Sequence, residues 1–442
     1  MDTLSSTQIA AAEDDELHAR LDGARLLICE EALKDEVGHW FEYCRAVEQI
    51  HAGYGVETTI LAHSDVASSV MRASRAIPFF DETCWDGANV EPRLIKRYWG
   101  ILAHNWRVFK RVDAFLRVQG FFGVAFAPTV TIHHLIAWRL LAAVHCNDRL
   151  GRIVLLFRNN VGYYVDGDDN PRFRRASLLF RMLMKSFASL VASGRVVFAT
   201  DSDRLADEYE ALASMRPVVF PSPRVAPCVI EPDRDSADLR KRALQFSCLG
   251  PARFEKGVDV LQDAIRMLLR WKVAEGDEVE MRFVIQWNME ILDAAGEPYR
   301  VDPELLTDDR VEIISAPLDA DAYADELRRT DCMVLPYRRS SYFARISGVA
   351  VEAVTAGIPV IFTKDTWCEE FVEKCGAGVG VADGDVVELA KAIEAMAADY
   401  HAYRSLAVSR AAAARSRNSA ERLVRGLWGF DAVEQGARGG RL

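Results

Sequence analysis

The chain predicts an α/β protein made of two doubly wound parallel-sheet domains that face a cleft. Three observations carry this expectation. Arg25-Leu-Leu-Ile-Cys29, a helical stretch from Trp40 to His51, and Val56-Glu-Thr-Thr-Ile-Leu-Ala62 read as strand, helix and strand, which is a βαβ unit. A second series of the same kind starts near Gln245. Between the two lies the most proline-dense stretch, Pro221-Ser-Pro-Arg-Val-Ala-Pro227, which reads as an interdomain linker. At 442 residues, half of them hydrophobic, the chain has material for two sizeable cores.

The expected boundaries are a mobile tail at 1–22, a first domain at 23–222, a linker at 223–242, a second domain at 243–415, and a final helix and tail at 416–442. In the first domain, Phe41, Cys44, Val47 and Ile50 fall on one side of the helix that follows the opening strand. Gly53 and Gly55 end it. Further strands are expected at Gly123–Ala127, Ile153–Phe157, Val196–Thr200 and Val218–Phe220. In the second domain the strand candidates are Phe246–Leu249, Met281–Gln286, Val311–Ile314, Cys332–Pro336 and Ile358–Phe362. Val386 to Met396 is helical, and Ala420 to Trp428 is a last amphipathic stretch that can cross back to the first domain.

Composition excludes several classes. No run of 18 apolar residues marks a transmembrane helix, and the acidic start lacks the pattern of a signal peptide. The nine cysteines are scattered without a Cys-x-x-Cys pair, so they read as reduced thiols of a cytoplasmic protein, with no metal site. The net charge is −11, yet Arg93 to Arg195 holds 17 Lys+Arg against 5 Asp+Glu. Such asymmetry points to an anionic partner for one part of the surface. Nucleic acid is not expected, because the chain is acidic overall and shows no recognised nucleic-acid module.

Two segments carry candidate chemistry. Phe246-Ser-Cys-Leu-Gly-Pro-Ala-Arg-Phe-Glu-Lys-Gly257 reads as a strand and a glycine turn before a helix, with Arg253 and Lys256 in the turn. Two cations beside a turn suit a diphosphate, Arg as a fork and Lys as a point charge, although singly they also suit a solvated loop. About 95 residues later, Ser347 and Gly348 start a helix that Gly357 stops. The free amides and positive dipole end of such a helix suit a phosphate. Glu352 lies one turn in.

In this order and spacing the two segments resemble the C-terminal half of GT-B glycosyltransferases, the family four type especially, over residues 243–397 and more weakly in the N-terminal half. The resemblance implies two Rossmann-like domains and retention of anomeric configuration. It also implies a diphosphate held by the Arg253/Lys256 turn and a ribose held by Glu352. That family usually carries another glutamate at the position of Ala344. The text Tyr342-Phe-Ala-Arg-Ile-Ser-Gly-Val349 looks like a variant of some bacterial polysaccharide transferases. Gly38-His39, after the first strand, resembles the family's acceptor-side loop and makes His39 a catalytic candidate; without that resemblance it reads as an ordinary surface or capping histidine. His133 and His134 follow a strand and are acceptor-side candidates or a ligand-free helix start.

The expected function is transfer of a sugar from a nucleoside-diphosphate donor to a glycan or lipid-linked acceptor, without an obligatory metal or other cofactor. A binding or scaffolding subunit of the same fold and a nucleotide-sugar epimerase are the alternatives. A helix expected from Arg172 to Leu190 places Arg174, Arg181 and Lys185 on one face and Leu179, Met182, Leu183 and Phe187 on an apolar one. This suits peripheral contact with an anionic membrane, or an ordinary surface helix.

Overall fold

A computed structural model describes residues 15–36, 39–86, 94–146, 148–165, 167–222, 242–275, 280–288, 290–293 and 295–430. The chain divides into two compact units. The first holds Met1–Gly162, Phe173–Val225 and Ser419–Leu442, and the second holds Tyr163–Arg172 and Ala226–Asn418. The short Tyr163–Arg172 segment thus lies in the second unit although it falls inside the range expected for the first domain. The expected linker at 223–242 lies, but for Arg242, outside the described residues.

The first unit contains β1 Arg25–Cys29, α1 His39–Gly53, β2 Glu57–His63, α2 Ser68–Ala73, β3 Ala76–Phe80, α3 Leu94–Val118, β4 Phe122–Ala127, α4 Ile132–His145, β5 Leu150–Phe157, α5 Ser177–Lys185, α6 Ala188–Ala192, β6 Val196–Thr200, α7 Asp203–Ala213 and β7 Val218–Val219. Its strands are parallel in the order β3-β2-β1-β4-β5-β6-β7. The order reverses once, between β1 and β4. The central strands are buried on both faces, which explains their nearly unbroken apolar sequences.

The second unit contains β8 Leu244–Cys248, α8 Val258–Glu275, β9 Met281–Gln286, the hairpin strands β10 Ile291–Leu292 and β11 Pro298–Tyr299, α9 Pro303–Leu306, β12 Val311–Ile314, α10 Ala320–Arg329, β13 Cys332–Leu335, α11 Arg339–Tyr342, α12 Gly348–Ala356, β14 Val360–Thr363, α13 Trp367–Cys375, β15 Gly378–Val381, α14 Val386–Ala398 and α15 Tyr400–Arg417. Its main sheet is parallel, β12-β9-β8-β13-β14-β15, and reverses between β8 and β13. In sheets of this kind, ligands bind beyond the strand carboxyl ends at the point of reversal. Each unit offers one such place.

The last helix, α16 Ala420–Trp428, packs in the first unit against α1 and β4. Leu423, Val424 and Leu427 are fully buried there. Gly123 in β4 makes room for it, since a Cβ at that position would lie 2.5 Å from the Trp428 ring.

The basic helix differs from expectation. It begins at Ser177, because Arg172 is drawn into an antiparallel bridge with Tyr163. Arg174 therefore precedes the helix and does not share its periodicity with Arg181 and Lys185. The buried face is Ser177, Phe180 and Met184, continued by Phe187, whereas Met182 points to solvent. All three basic residues are exposed.

Candidate functional site

At the reversal point of the second unit, β8 runs into Gly250, whose amide donates to the Gln286 side chain at 2.6 Å. Gly250 has φ +83°. A short 3-10 turn at Phe254–Lys256 follows, closed by Gly257 at φ +68°. Only glycine fits at Gly257, because a Cβ would meet the Pro336 carbonyl oxygen at 1.9 Å. The Arg338 amide donates to the Glu255 carbonyl at 2.9 Å. These two contacts seat the turn against the segment leaving β13.

That seating brings the two predicted halves of the donor site together. A Cβ built on Gly250 would lie 2.9 Å from Lys256 Nζ and 3.2 Å from a Val349 methyl, so the ammonium stands beside the first turn of α12. Ser347 caps that helix, its Oγ accepting from the Ala350 amide at 3.1 Å and donating to Tyr337 Oη at 3.4 Å. The amides of Gly348 and Val349 head the helix and have no intrahelical acceptor. Arg253, 43% exposed, and Arg345, 27% exposed, both approach Glu255, at 3.6 and 3.7 Å. One carboxylate thus serves two guanidiniums.

Lys256 is buried, and burial lowers its ammonium to about 8, with Cys248 opposing the shift and Arg253 adding to it. Among the described residues no carboxylate reaches ion-pair distance of its Nζ; the Tyr337 ring centroid lies 5.9 Å from Nζ. A buried cation without a counter-charge is costly unless an anion completes the site. Glu352 stands one turn into α12, and Tyr323 Oη of α10 donates to its Oε2 at 2.5 Å. Ala344 is fully buried and brings no carboxylate to the place where the family's first glutamate would stand. Arg345, Tyr337 and Tyr323 were not singled out from sequence. Arg345 opens the helix-start segment, and its charge next to Ser347 is the signal that marks it.

At the reversal point of the first unit, Glu30 and Glu31 follow β1, and Thr131 caps α4 after β4. Glu31 is the hub. Its Oε2 accepts from His104 Nε2 of α3 at 2.9 Å, and its Oε1 lies 3.1 Å from His134 Nε2. The Cys84 amide also donates to Oε1, at 2.5 Å. Burial alone would raise the Glu31 carboxyl, but His134 and His104 overcome it and hold it well below the usual range. Burial likewise opposes protonation of His134, and Glu31 outweighs it, so His134 is raised. Glu30 is pushed up to about 7 by burial. His133, lowered to about 4 by burial and then by its two histidine neighbours, keeps a buried Nε2 without a hydrogen-bond partner among the described residues.

Glu31, His104 and His134 have the donor types of a metal centre and group their ligand atoms within 4.8 Å. The outer contact of His134 argues against that use. In the neutral ring its Nδ1 accepts from the Thr131 amide at 3.1 Å, so the remaining proton sits on Nε2, the atom a metal would need. A ligating histidine normally donates from its far nitrogen. The cluster is a hydrogen-bonded acid–imidazole network.

His133 and His134 therefore both lie at the first unit's reversal point, buried, with His134 engaged by Glu31. Gly38 and the His39 side chain lie outside the described residues; His39 begins α1. Asp201-Ser-Asp203 acts as a helix start, Ser202 capping α7 while Asp201 pairs with Arg158 at 3.2 Å. Glu31 and His104 were missed from sequence, although an acidic pair directly after a buried strand was a readable signal.

Residues 244–399 match the family model described as Glycosyl transferases group 1. No curated protein matches the chain in sequence. Among solved structures, the sucrose-phosphate synthase of Thermosynechococcus elongatus is similar with a TM-score of 0.62 and 14% identity, over 94% of this chain and 100% of that one. Anabaena HepE, solved in complex with UDP and glucose, gives 0.61 and 13%, over 93% and 100%. The trehalose-6-phosphate synthase OtsA gives 0.60 and 11%, over 93% and 98%. Identities this low establish the fold alone, and the family match covers residues 244–399 in the second unit. The fold is that of GT-B glycosyltransferases, and residues 244–399 form a domain of the glycosyl transferases group 1 type.

Proposed function

We propose that the chain transfers a sugar from a nucleoside-diphosphate donor to a glycan or lipid-linked acceptor. The diphosphate would sit on Arg253, Lys256 and the amides of Gly348 and Val349, with Arg345 as a third cation. Glu352, oriented by Tyr323, would accept from the ribose hydroxyls. HepE, whose structure was solved with UDP and glucose, supports a donor of this type.

The observation that carries the reading is the buried Lys256 ammonium, without a carboxylate at ion-pair distance among the described residues, beside a helix N-terminus. Positive charge fixed at that point stabilises a leaving diphosphate in the way an oxyanion site stabilises developing charge. With three protein cations available we propose that no metal is needed; activity that survives EDTA supports this, and activity restored only by a divalent ion refutes it. Titration calorimetry with UDP, GDP and the matching monophosphates tests the site. A diphosphate should bind at least tenfold tighter than its monophosphate, and equal affinities would refute the assignment.

Ala344 favours a second reading, a binding subunit of the same fold that holds a nucleotide sugar without transferring it. Donor consumption measured with and without acceptor extracts separates the two.

Among the described residues no helix is long and apolar enough to cross a membrane. A lipid-linked acceptor would then be met at a bilayer surface, by peripheral contact from the cytoplasmic side.

A further inference from the structure

α3 buries one side on the first unit through Ile101, His104, Asn105, Val108, Val112 and Leu116. Its other side is unusual. Ile95, Trp99, Leu102 and Trp106 recur at helical spacing and are exposed by 75, 69, 48 and 55%, with Tyr98 beside them. An ordinary surface helix places polar groups there. Four large apolar side chains in one stripe form a contiguous patch that calls for an occupant.

The charges around the stripe say which. Lys96 and Lys110 flank it, and neither has a carboxylate partner among the described residues. The helix carries no acidic residue between Leu94 and Val112. α3 packs along α4, and α4 against α5, so these helices lie side by side in one layer. On α5, Leu178 and Met182 are exposed by 56 and 66%, next to the exposed Arg181 and Lys185. A cavity of about 210 Å³ beside α5 is lined by Arg174, Arg175 and Arg181 together with Phe173 and Leu178. All of this falls inside the Arg93–Arg195 stretch, which carries 17 Lys+Arg against 5 Asp+Glu in a chain whose net charge is −11.

We propose that this helix layer docks on an anionic lipid bilayer, with Ile95, Trp99, Leu102 and Trp106 entering the headgroup–acyl boundary and the arginine-lined cavity taking a lipid phosphate. Tryptophan with Lys/Arg flanks is the composition that settles at such an interface. A protein partner of equal apolar area would not need three arginines converging on one cavity. The proposal deepens the reading of a lipid-linked acceptor and moves the main contact from α5 to α3.

The test is flotation with vesicles of phosphatidylcholine, alone or with 30% phosphatidylglycerol, at about 50 and 500 mM salt. Wild-type protein should float with the anionic vesicles at low salt and much less with the neutral ones. Each cation near an anionic surface is worth roughly a fivefold gain, so Arg174→Ala/Arg175→Ala/Arg181→Ala should bind about a hundredfold more weakly. Trp99→Ser/Trp106→Ser should bind at least tenfold more weakly and lose the blue shift of tryptophan emission seen with wild-type protein on vesicles. Both variants change exposed side chains, so circular dichroism and nucleoside-diphosphate affinity should stay as in wild type. Nucleotide affinity thus separates this proposal from the donor-site reading. Wild-type protein that ignores anionic vesicles at low salt, or a double-tryptophan variant that binds as well as wild type, overturns it. So does light scattering that shows a wild-type dimer which the tryptophan changes dissociate, since the stripe would then belong to a second copy.

Discussion

The two sheets each reverse strand order once, and each gathers polar side chains there, yet the two gatherings balance their charge in opposite ways. In the first unit, Glu31 is met by two imidazoles and a backbone amide, and little charge is left over. In the second, Arg253 and Arg345 share Glu255, and among the described residues the buried Lys256 has no carboxylate at ion-pair distance, feeling Glu255 only from further away. A network that closes on itself holds a fold together. One that leaves a desolvated cation open stores a cost that an anionic ligand removes. The contrast favours the proposed placement of the donor diphosphate in the second unit, and it is breakable by mutation.

The largest effect should come from the closed network. Glu31→Ala strands two imidazoles and an amide in a buried site, and breaking a buried pair this way costs about 3–5 kcal/mol. Urea unfolding should show it directly. The pH profile adds a signature. Glu31 is held below the usual carboxylate range, so its contribution is complete at neutral pH and lost as pH falls from that range towards the lowered folded value. His134 is raised, so its contribution is complete below pH 6.5 and lost as pH rises through its raised value. Wild-type stability should therefore decline on both flanks of a mildly acidic window, and Glu31→Ala should flatten both. An unchanged unfolding midpoint combined with lost turnover would make the cluster a ligand site and end the contrast.

Lys256→Met should do the reverse. Removing a buried ammonium without an ion pair among the described residues relieves desolvation, so the ligand-free protein should unfold at the same or a higher urea concentration. Nucleoside-diphosphate affinity should fall by ~1.5–3 kcal/mol, the range for a lost charge-assisted hydrogen bond. With Lys256 lowered to about 8, the empty site loses its charge as pH rises through that value, and wild-type affinity should drop across the same window. The variant should show no such drop. A variant destabilised by several kcal/mol that still binds diphosphate normally would place Lys256 in the fold and outside the site.

The same contrast explains what was legible in the sequence. The second site is made of two contiguous segments, so a turn with Arg253 and Lys256 and a capped helix from Ser347 could be read locally. The first is assembled from Glu31, His104 and His134 on three elements, and no spacing in the chain announces that α3 lies along α4. Edge strands were missed for local reasons. β3 carries Pro78, and β15 is Gly-Val-Gly-Val, where Gly378 is required because a Cβ would meet the Val360 carbonyl oxygen at 1.8 Å. Proline and glycine argue against a strand by propensity and are tolerated here at sheet edges. The basic helix was read too long because its first residues bridge back to Tyr163, a pairing fixed by tertiary contacts.

The smallest predicted effect refines the open site. Glu352 is the ribose candidate, and Tyr323 already donates to its Oε2 at 2.5 Å. That bond sets the rotamer in which the carboxylate would accept from a ligand. Tyr323→Phe keeps the ring in place and removes only the hydroxyl, so folding should be unaffected. Affinity for a nucleoside diphosphate should fall by about 0.5–1.5 kcal/mol, the net worth of one positioning hydrogen bond. Affinity for inorganic pyrophosphate, which has no ribose, should not change. Glu352→Gln should show the same selectivity with a larger loss, because the ligand's hydroxyls then meet an amide in place of a charge. Equal losses for pyrophosphate and nucleotide in either variant would mean that Glu352 acts through the diphosphate end of α12, and the ribose role would have to be reassigned.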